Sequence, residues 1–147
     1  MKVDLKILDS ANDLEIPQYA TNGSAGVDLR AAISSDVTVA PGDRVLIQTG
    51  IQIALPVGYE GQIRPRSGLA LNYGVTVLNT PGTVDSDYRG ELKVLIINLG
   101  REPFVVTRGM RIAQLVISKF EQAEWNIVKS LDETSRGTNG YGSTGIK

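Results

Sequence analysis

The chain has 147 residues, a formal net charge of −1, no cysteine and no histidine. One domain of this length buries roughly two-thirds of its unfolded surface, and a near-neutral chain without blocks of like charge excludes a generic basic binder of nucleic acid. Disulfides, thiolate nucleophiles, Ser-His-Asp arrangements and thiolate- or imidazole-bound zinc are excluded too, so a general base must be a carboxylate, lysine or tyrosine, and a metal must be a hard ion such as Mg2+.

Short β-branched runs dominate from the start: Lys2–Leu8, Val37–Val39, Arg44–Gln48, Gln52–Ala54, Gln62–Arg64, Val75–Leu78, Leu92–Asn98, Phe104–Val106 and Ala113–Lys119. Turn residues separate them, as in Ala40-Pro41-Gly42-Asp43 and Pro56-Val57-Gly58, which predicts an all-β sandwich or barrel. One short helix is predicted over Gly68–Tyr73, with Ser67 as N-cap and Gly74 just past its end. Val94–Ile97 and Ile112–Ile117 carry apolar residues on both strand faces, a pattern expected where a second subunit covers the outer surface. No basic-then-apolar leader opens the chain and no apolar run approaches about 18 residues. The expectation is therefore no membrane partner and a cytoplasmic, or other intracellular reducing, location.

Five glycine-containing polar clusters interrupt the β pattern. The first, Gly23–Arg30, holds Asp28 among small residues, suited either to turn chemistry or to supporting a metal-bound water. The second, Arg64–Ala70, places Arg66, Ser67 and Gly68 at a helix start, where free backbone N–H groups and a positive dipole end favour an anion. A capped structural helix with a surface arginine is the alternative. The third, Leu78–Glu91, is a connection longer than a hairpin turn requires and brings Asn79, Asp85 and Tyr88 toward one concavity. There a flat pyrimidine would bind along free hairpin backbone, and Asp85 would orient a water. Asp87, Arg89 and Glu91 read as a local ion-pair set.

The fourth cluster, Arg108–Gln114, is a turn entering a buried strand, with Gln114 the polar exception that calls for a partner or a phosphate. The fifth, Arg136–Gly145, has four glycines in ten residues, too many for a helix or packed strand. It also carries an arginine, an aromatic ring and adjacent hydroxyls, groups suited to phosphate and to a planar base. The division expected is a β domain over residues 1–135 and a flexible C-terminal lid over 136–147, although a plain flexible tail has the same composition.

In this order, Ala25–Ala32, Pro65–Ala70, Gly82–Glu91, Arg108–Val116 and Arg136–Gly145 resemble the five motifs of the all-β dUTP diphosphatase (dUTPase) family, from about Leu14 to Gly145. The resemblance implies a jelly-roll-like homotrimer with shared active sites, one short helix and a flexible glycine-rich tail. It implies hydrolysis of dUTP to dUMP and pyrophosphate with Mg2+, supplying dUMP for dTMP synthesis and keeping uracil out of DNA. By matching position, Asp85 orients or deprotonates the attacking water and Tyr88 stacks under deoxyribose. Asn79 and hairpin backbone around Val84 read uracil, while Arg66, Ser67, Gly68 and Gln114 contact phosphates. Asp28 supports the metal's water shell. Arg136, Gly142, Ser143 and Thr144 belong to the lid that closes on the phosphates, and Tyr141 covers the uracil where the family most often has phenylalanine. The related dCTP deaminases share the fold, but the complete hairpin motif and glycine-rich lid favour the diphosphatase. A catalytically idle regulator on the same scaffold would not need every one of these positions filled.

Overall fold

In a computed structural model, residues 1–140 are described. The strands are β1 (Asp4–Ile7), β2 (Gly26–Arg30), β3 (Val37–Val39), β4 (Arg44–Gln48), β5 (Ile51–Ala54), β6 (Tyr59–Arg64), β7 (Val75–Val77), β8 (Gly82–Val84), β9 (Lys93–Asn98), β10 (Phe104–Val106) and β11 (Arg111–Lys119). Among the described residues the single α-helix, α1, spans Ser67–Tyr73, and Asp9–Ala11 forms a 3-10 turn. All pairings are antiparallel, in four sheets ordered β1-β5, β3-β10, β2-β11-β6-β8 and β4-β9-β7. The architecture is all-β, as the repeated short runs predict, and of the jelly-roll type that the family resemblance implies.

Two strands lie inside segments expected to be polar interruptions. Strand β2 falls in the first cluster and β8 in the third. In β2, Leu29 is fully buried while its neighbours Asp28 and Arg30 are half-buried, so a period-2 pattern was present beneath its charges. In β8, Gly82 and Val84 are buried around exposed Thr83, but three residues are too few for periodicity to be distinctive. The long hairpin is nevertheless as expected, since β7 pairs with β9 from Val75↔Asn98 to Val77↔Ile96 and carries β8 in its loop.

The core is aliphatic, with Leu29, Val39, Ile47, Val75, Val77, Leu92, Val94, Ile96 and Val106 fully buried. Asn98 is the polar exception at 0% exposure. Its Nδ2 donates to the carbonyls of Val39 (2.9 Å) and Glu102 (2.8 Å), and its Oδ1 accepts from the Gly100 N–H at 2.8 Å. Every polar atom of the amide is thus paired, which removes the desolvation penalty of placing it there.

Helix α1 ends as its glycine predicts: Gly74 sits at φ 69°, and its N–H bonds back to the Leu69 and Ala70 carbonyls, a left-handed cap. Its start differs from expectation. Arg66 is the N-cap, with extended backbone and no side-chain cap bond, and Ser67 is already the first helical residue. After β11 the chain carries no further helix or strand through residue 140, and Trp125, Ile127 and Leu131 are strongly exposed. Among the described residues no helix is long and apolar enough to cross a membrane.

Candidate active site

The hairpin between β7 and β9 forms one wall of a cavity of about 260 Å3. Asn79, Val84, Asp85 and Tyr88, all anticipated, line it. So do Leu46, Ile63, Glu91 and Lys93, which were not in the anticipated site. Strand β8 positions this wall. It pairs with β6 through Gly61↔Val84, Gln62↔Thr83 and Ile63↔Gly82 and is the edge of its sheet, so one row of its backbone N–H and C=O groups faces away from β6.

Tyr88 is held locally. Its hydroxyl donates to the Glu91 carbonyl at 3.1 Å, and its backbone N–H donates to the Asp85 carbonyl at 3.2 Å. The ring lies across Gly90, where any Cβ would overlap it. The expected ion-pair set of Asp87, Arg89 and Glu91 does not form. Arg89 instead donates to the carbonyls of Ser86 (2.7 Å) and Tyr88 (2.8 Å), and a Glu91 carboxylate oxygen accepts the Gly50 N–H at 2.8 Å. Backbone groups turned inward by the tight loop are nearer to these side chains than opposite charges are.

A second group gathers Asp28, Arg66 and Gln114. Asp28 Oδ1 receives Arg66 Nε at 2.9 Å and its Oδ2 receives Arg111 Nη1 at 3.1 Å. Arg66 Nη1 in turn donates to the Arg111 carbonyl at 3.0 Å, closing a triangle. Gln114 Nε2 donates to the Pro65 carbonyl at 2.9 Å, tying β11 to the turn that starts α1. Its Oε1 lies so near Gly26 that a Cβ there would stand 2.5 Å away. Ser67 and Gly68 are exposed at the first turn of α1, next to Arg66.

Arg111, absent from the anticipated site, arrives by a bulge. On β11, Arg111 pairs with Arg30, Ala113 with Leu29 and Gln114 with Asp28, so Ile112 is the extra residue. In a regular strand residues three apart point to opposite faces. The bulge places Arg111 and Gln114 on one face, together with Asp28. Only the positive charge inside the fourth cluster hinted at Arg111.

The two groups share no residue: the cavity lies along β8, the edge strand, while Asp28 and Gln114 stand on β2 and β11. Gln114 is paired with Arg64 and Asp28, on the face away from the buried Leu29, Leu115 and Ile63. The cavity's Ile63 and Val84 belong to the core face and its Thr83, paired with Gln62, to the other, so the cavity wraps the free edge of β8. Strands β2 and β8 stand three places apart, about 14 Å at ~4.8 Å per strand. Arg136 joins neither group, its Nε donating to the Asn139 carbonyl at 3.0 Å. Tyr141, Gly142, Ser143 and Thr144 lie outside the described residues.

A family model described as dUTPase matches residues 12–145. The deoxyuridine 5'-triphosphate nucleotidohydrolase of Orientia tsutsugamushi (strain Boryong) is 56% identical over 148 residues, covering 100% of each chain. Staphylococcus bacteriophage 80alpha dUTPase with dUPNHPP has a similar structure, with a TM-score of 0.84, 25% identity and 99% coverage of both chains. A mutant dUTPase from phage phi11 of S. aureus, described for its coordination of a structural Mg(II) ion, gives a TM-score of 0.80 at 21% identity, covering 90% of this chain and 100% of that one. With the hairpin cavity, the arginine-bound Asp28 and this family match over nearly the whole length, the chain belongs to the dUTPase family of enzymes.

Proposed function

We propose that the protein hydrolyses dUTP to dUMP and pyrophosphate, and the observation that carries this is the hairpin cavity lined by Asn79, Val84, Asp85 and Tyr88. A pyrimidine fits the open backbone edge of β8, where fixed donors and acceptors read C4 as a pairing partner would. A backbone N–H there donates to the uracil C4 carbonyl and leaves cytosine's amino group unpaired. Tyr88, pinned through its hydroxyl, stacks under deoxyribose and leaves no space for a 2′-hydroxyl. Asp85 orients the water whose oxygen attacks the α-phosphorus as the bond to the bridging α–β oxygen breaks and pyrophosphate departs. Such a displacement depends on alignment and charge neutralisation, so a site without cysteine or histidine suffices.

Arg66, Ser67, Gly68 and Gln114 contact the phosphate chain in this reading. The triphosphate also implies Mg2+. Among the described residues no group of three or more potential ligands could hold a metal, and both Asp28 oxygens already accept arginine bonds. This donor set fits an ion held mainly by substrate phosphates and water, with Asp28 supporting its water shell. When bound, the ion offsets phosphate charge and helps fix the chain's conformation.

Because the hairpin cavity and Asp28 lie on strands three places apart in one sheet, the complete site is assigned to an assembly. In a homotrimer, the hairpin of one protomer meets the Asp28–Arg66 cluster of another, and residues 136–147 close over both. The exposed Trp125, Ile127 and Leu131 supply apolar surface for such packing. The test is purified protein incubated with Mg2+ and either dUTP or dCTP. Equal release of dUMP and pyrophosphate from dUTP is expected; ammonia from dCTP with dUTP untouched would overturn the assignment.

A further inference from the structure

The turn joining β4 to β5 grips the hairpin from behind. Thr49 Oγ1 donates to the Leu92 carbonyl at 2.6 Å, the Gly50 N–H to the Glu91 carboxylate at 2.8 Å, and Gln52 Nε2 to the Arg89 carbonyl at 2.8 Å. The Leu92 N–H completes the bracket by donating to the Ile51 carbonyl at 2.9 Å. Three of these contacts end on hairpin backbone; the Gly50 contact ends on a side chain.

That side chain belongs to the residue that also holds Tyr88. The carbonyl of Glu91 accepts the Tyr88 hydroxyl at 3.1 Å, and its carboxylate is fixed to Gly50. Gly50 is itself closely packed: it is buried at φ +67°, and a Cβ there would overlap that of Ala11. One chain of contacts thus runs from the packed 3-10 turn through Gly50 and Glu91 to the tyrosine ring over Gly90.

The geometry points to Glu91 as a positioning residue for sugar recognition. Its carboxylate, anchored on Gly50, fixes the carbonyl that sets the pose of Tyr88, and the ring's exclusion of a 2′-hydroxyl depends on that pose. This rests on the reading that Tyr88 stacks under deoxyribose. The freedom of the loop at Gly90, two residues past Tyr88, would otherwise let the ring swing aside for a ribonucleotide. The role asks for an acceptor at Gly50 and not for a charge.

The test compares kcat and KM for dUTP and UTP in the full-length protein with Mg2+. Glu91→Ala is expected to lower the dUTP-over-UTP ratio of kcat/KM about tenfold, through a raised KM for dUTP and improved use of UTP, with kcat for dUTP within about threefold. Glu91→Gln, whose amide oxygen still accepts the Gly50 N–H, should restore the ratio to within about twofold. Wild-type discrimination in Glu91→Ala, or equal loss in both variants, overturns the proposal. Tyr88→Phe cuts the same chain at its other end and serves if Glu91→Ala folds poorly; unchanged discrimination there overturns it as well. Tyr88→Ala separates the two levels. If it discriminates like wild type, the stacking reading fails and the proposal falls with it; if it loses discrimination while Glu91→Ala keeps it, only the role of Glu91 fails.

Discussion

Asp28 and Asp85 each follow a valine within a glycine-containing cluster, yet their surroundings separate their work. Each Asp28 oxygen is taken by an arginine, so the side chain organises cations. Asp85 is exposed on the cavity wall and makes no ion pair among the described residues, leaving its oxygens free for water. Asp85→Asn is therefore expected to lower kcat at least about 100-fold while dUPNHPP binding changes little, checked by steady-state kinetics and calorimetry. Asp28→Ala should act differently, raising KM for dUTP because Arg66 and Arg111 lose their shared anchor. Asn79, Asp85 and Tyr88 were legible because they crowd one long connection with the groups a nucleotide needs. Arg111 and Glu91 were not, because their significance rests on backbone partners, Arg66 donating to one carbonyl and Gly50 to one carboxylate, that no spacing discloses.

Among the elements, those with aliphatic alternation were the readable ones. Strand β9 buries Val94, Ile96 and Asn98 on one face, and its position followed from its β-branched run. The helix was equally plain at its C-terminal end, where only a left-handed residue closes α1, and misread by one residue at its start. Strands β2 and β8 were hidden by glycine, charge and brevity. The bonds of Asn98 join β9 to the end of β3 and to the loop before β10, making it the polar fastener between sheets. Asn98→Ala leaves two carbonyls and an N–H without that partner in a buried site, and should destabilise the protein by about 2–4 kcal/mol in urea unfolding. Substitution of the neighbouring Ile97, half-buried on the opposite face, should cost less.

For the molecule as a whole, the proposed reading makes assembly a condition of activity, because hairpin and arginine cluster are separated within one chain. Light scattering should give about three times the 15.8 kDa chain mass. Refolding Asp85→Asn together with Arg66→Ala, each inactive alone, should recover about a quarter of wild-type turnover, since one in four composite sites then draws both intact halves from different protomers. Absence of recovery would place the whole site within one chain. One contact expected to respond to acid is that of the Arg108 guanidinium, which bonds Asp13 and the Ser10 and Ile33 carbonyls. That hydrogen bonding, helped by local backbone, holds the Asp13 carboxyl below its ordinary pKa. A depressed carboxylate adds stability above its unfolded pKa and loses it as pH falls through the folded value. Asp13→Asn should thus be less stable than wild type near neutrality, the gap closing toward about pH 3 in thermal melts.

The extra residue in β11 also behaves as a reading-frame element for the strand. Removing Ile112 would leave the composition of the sheet almost untouched while turning Arg111 toward the apolar interior and withdrawing it from Asp28. Grafting Arg111 and Gln114 onto a regular strand at their native spacing would likewise place them back to back. What must be transplanted is the interruption itself, and a designed sheet meant to gather these side chains on one face would have to be built irregular at that one step.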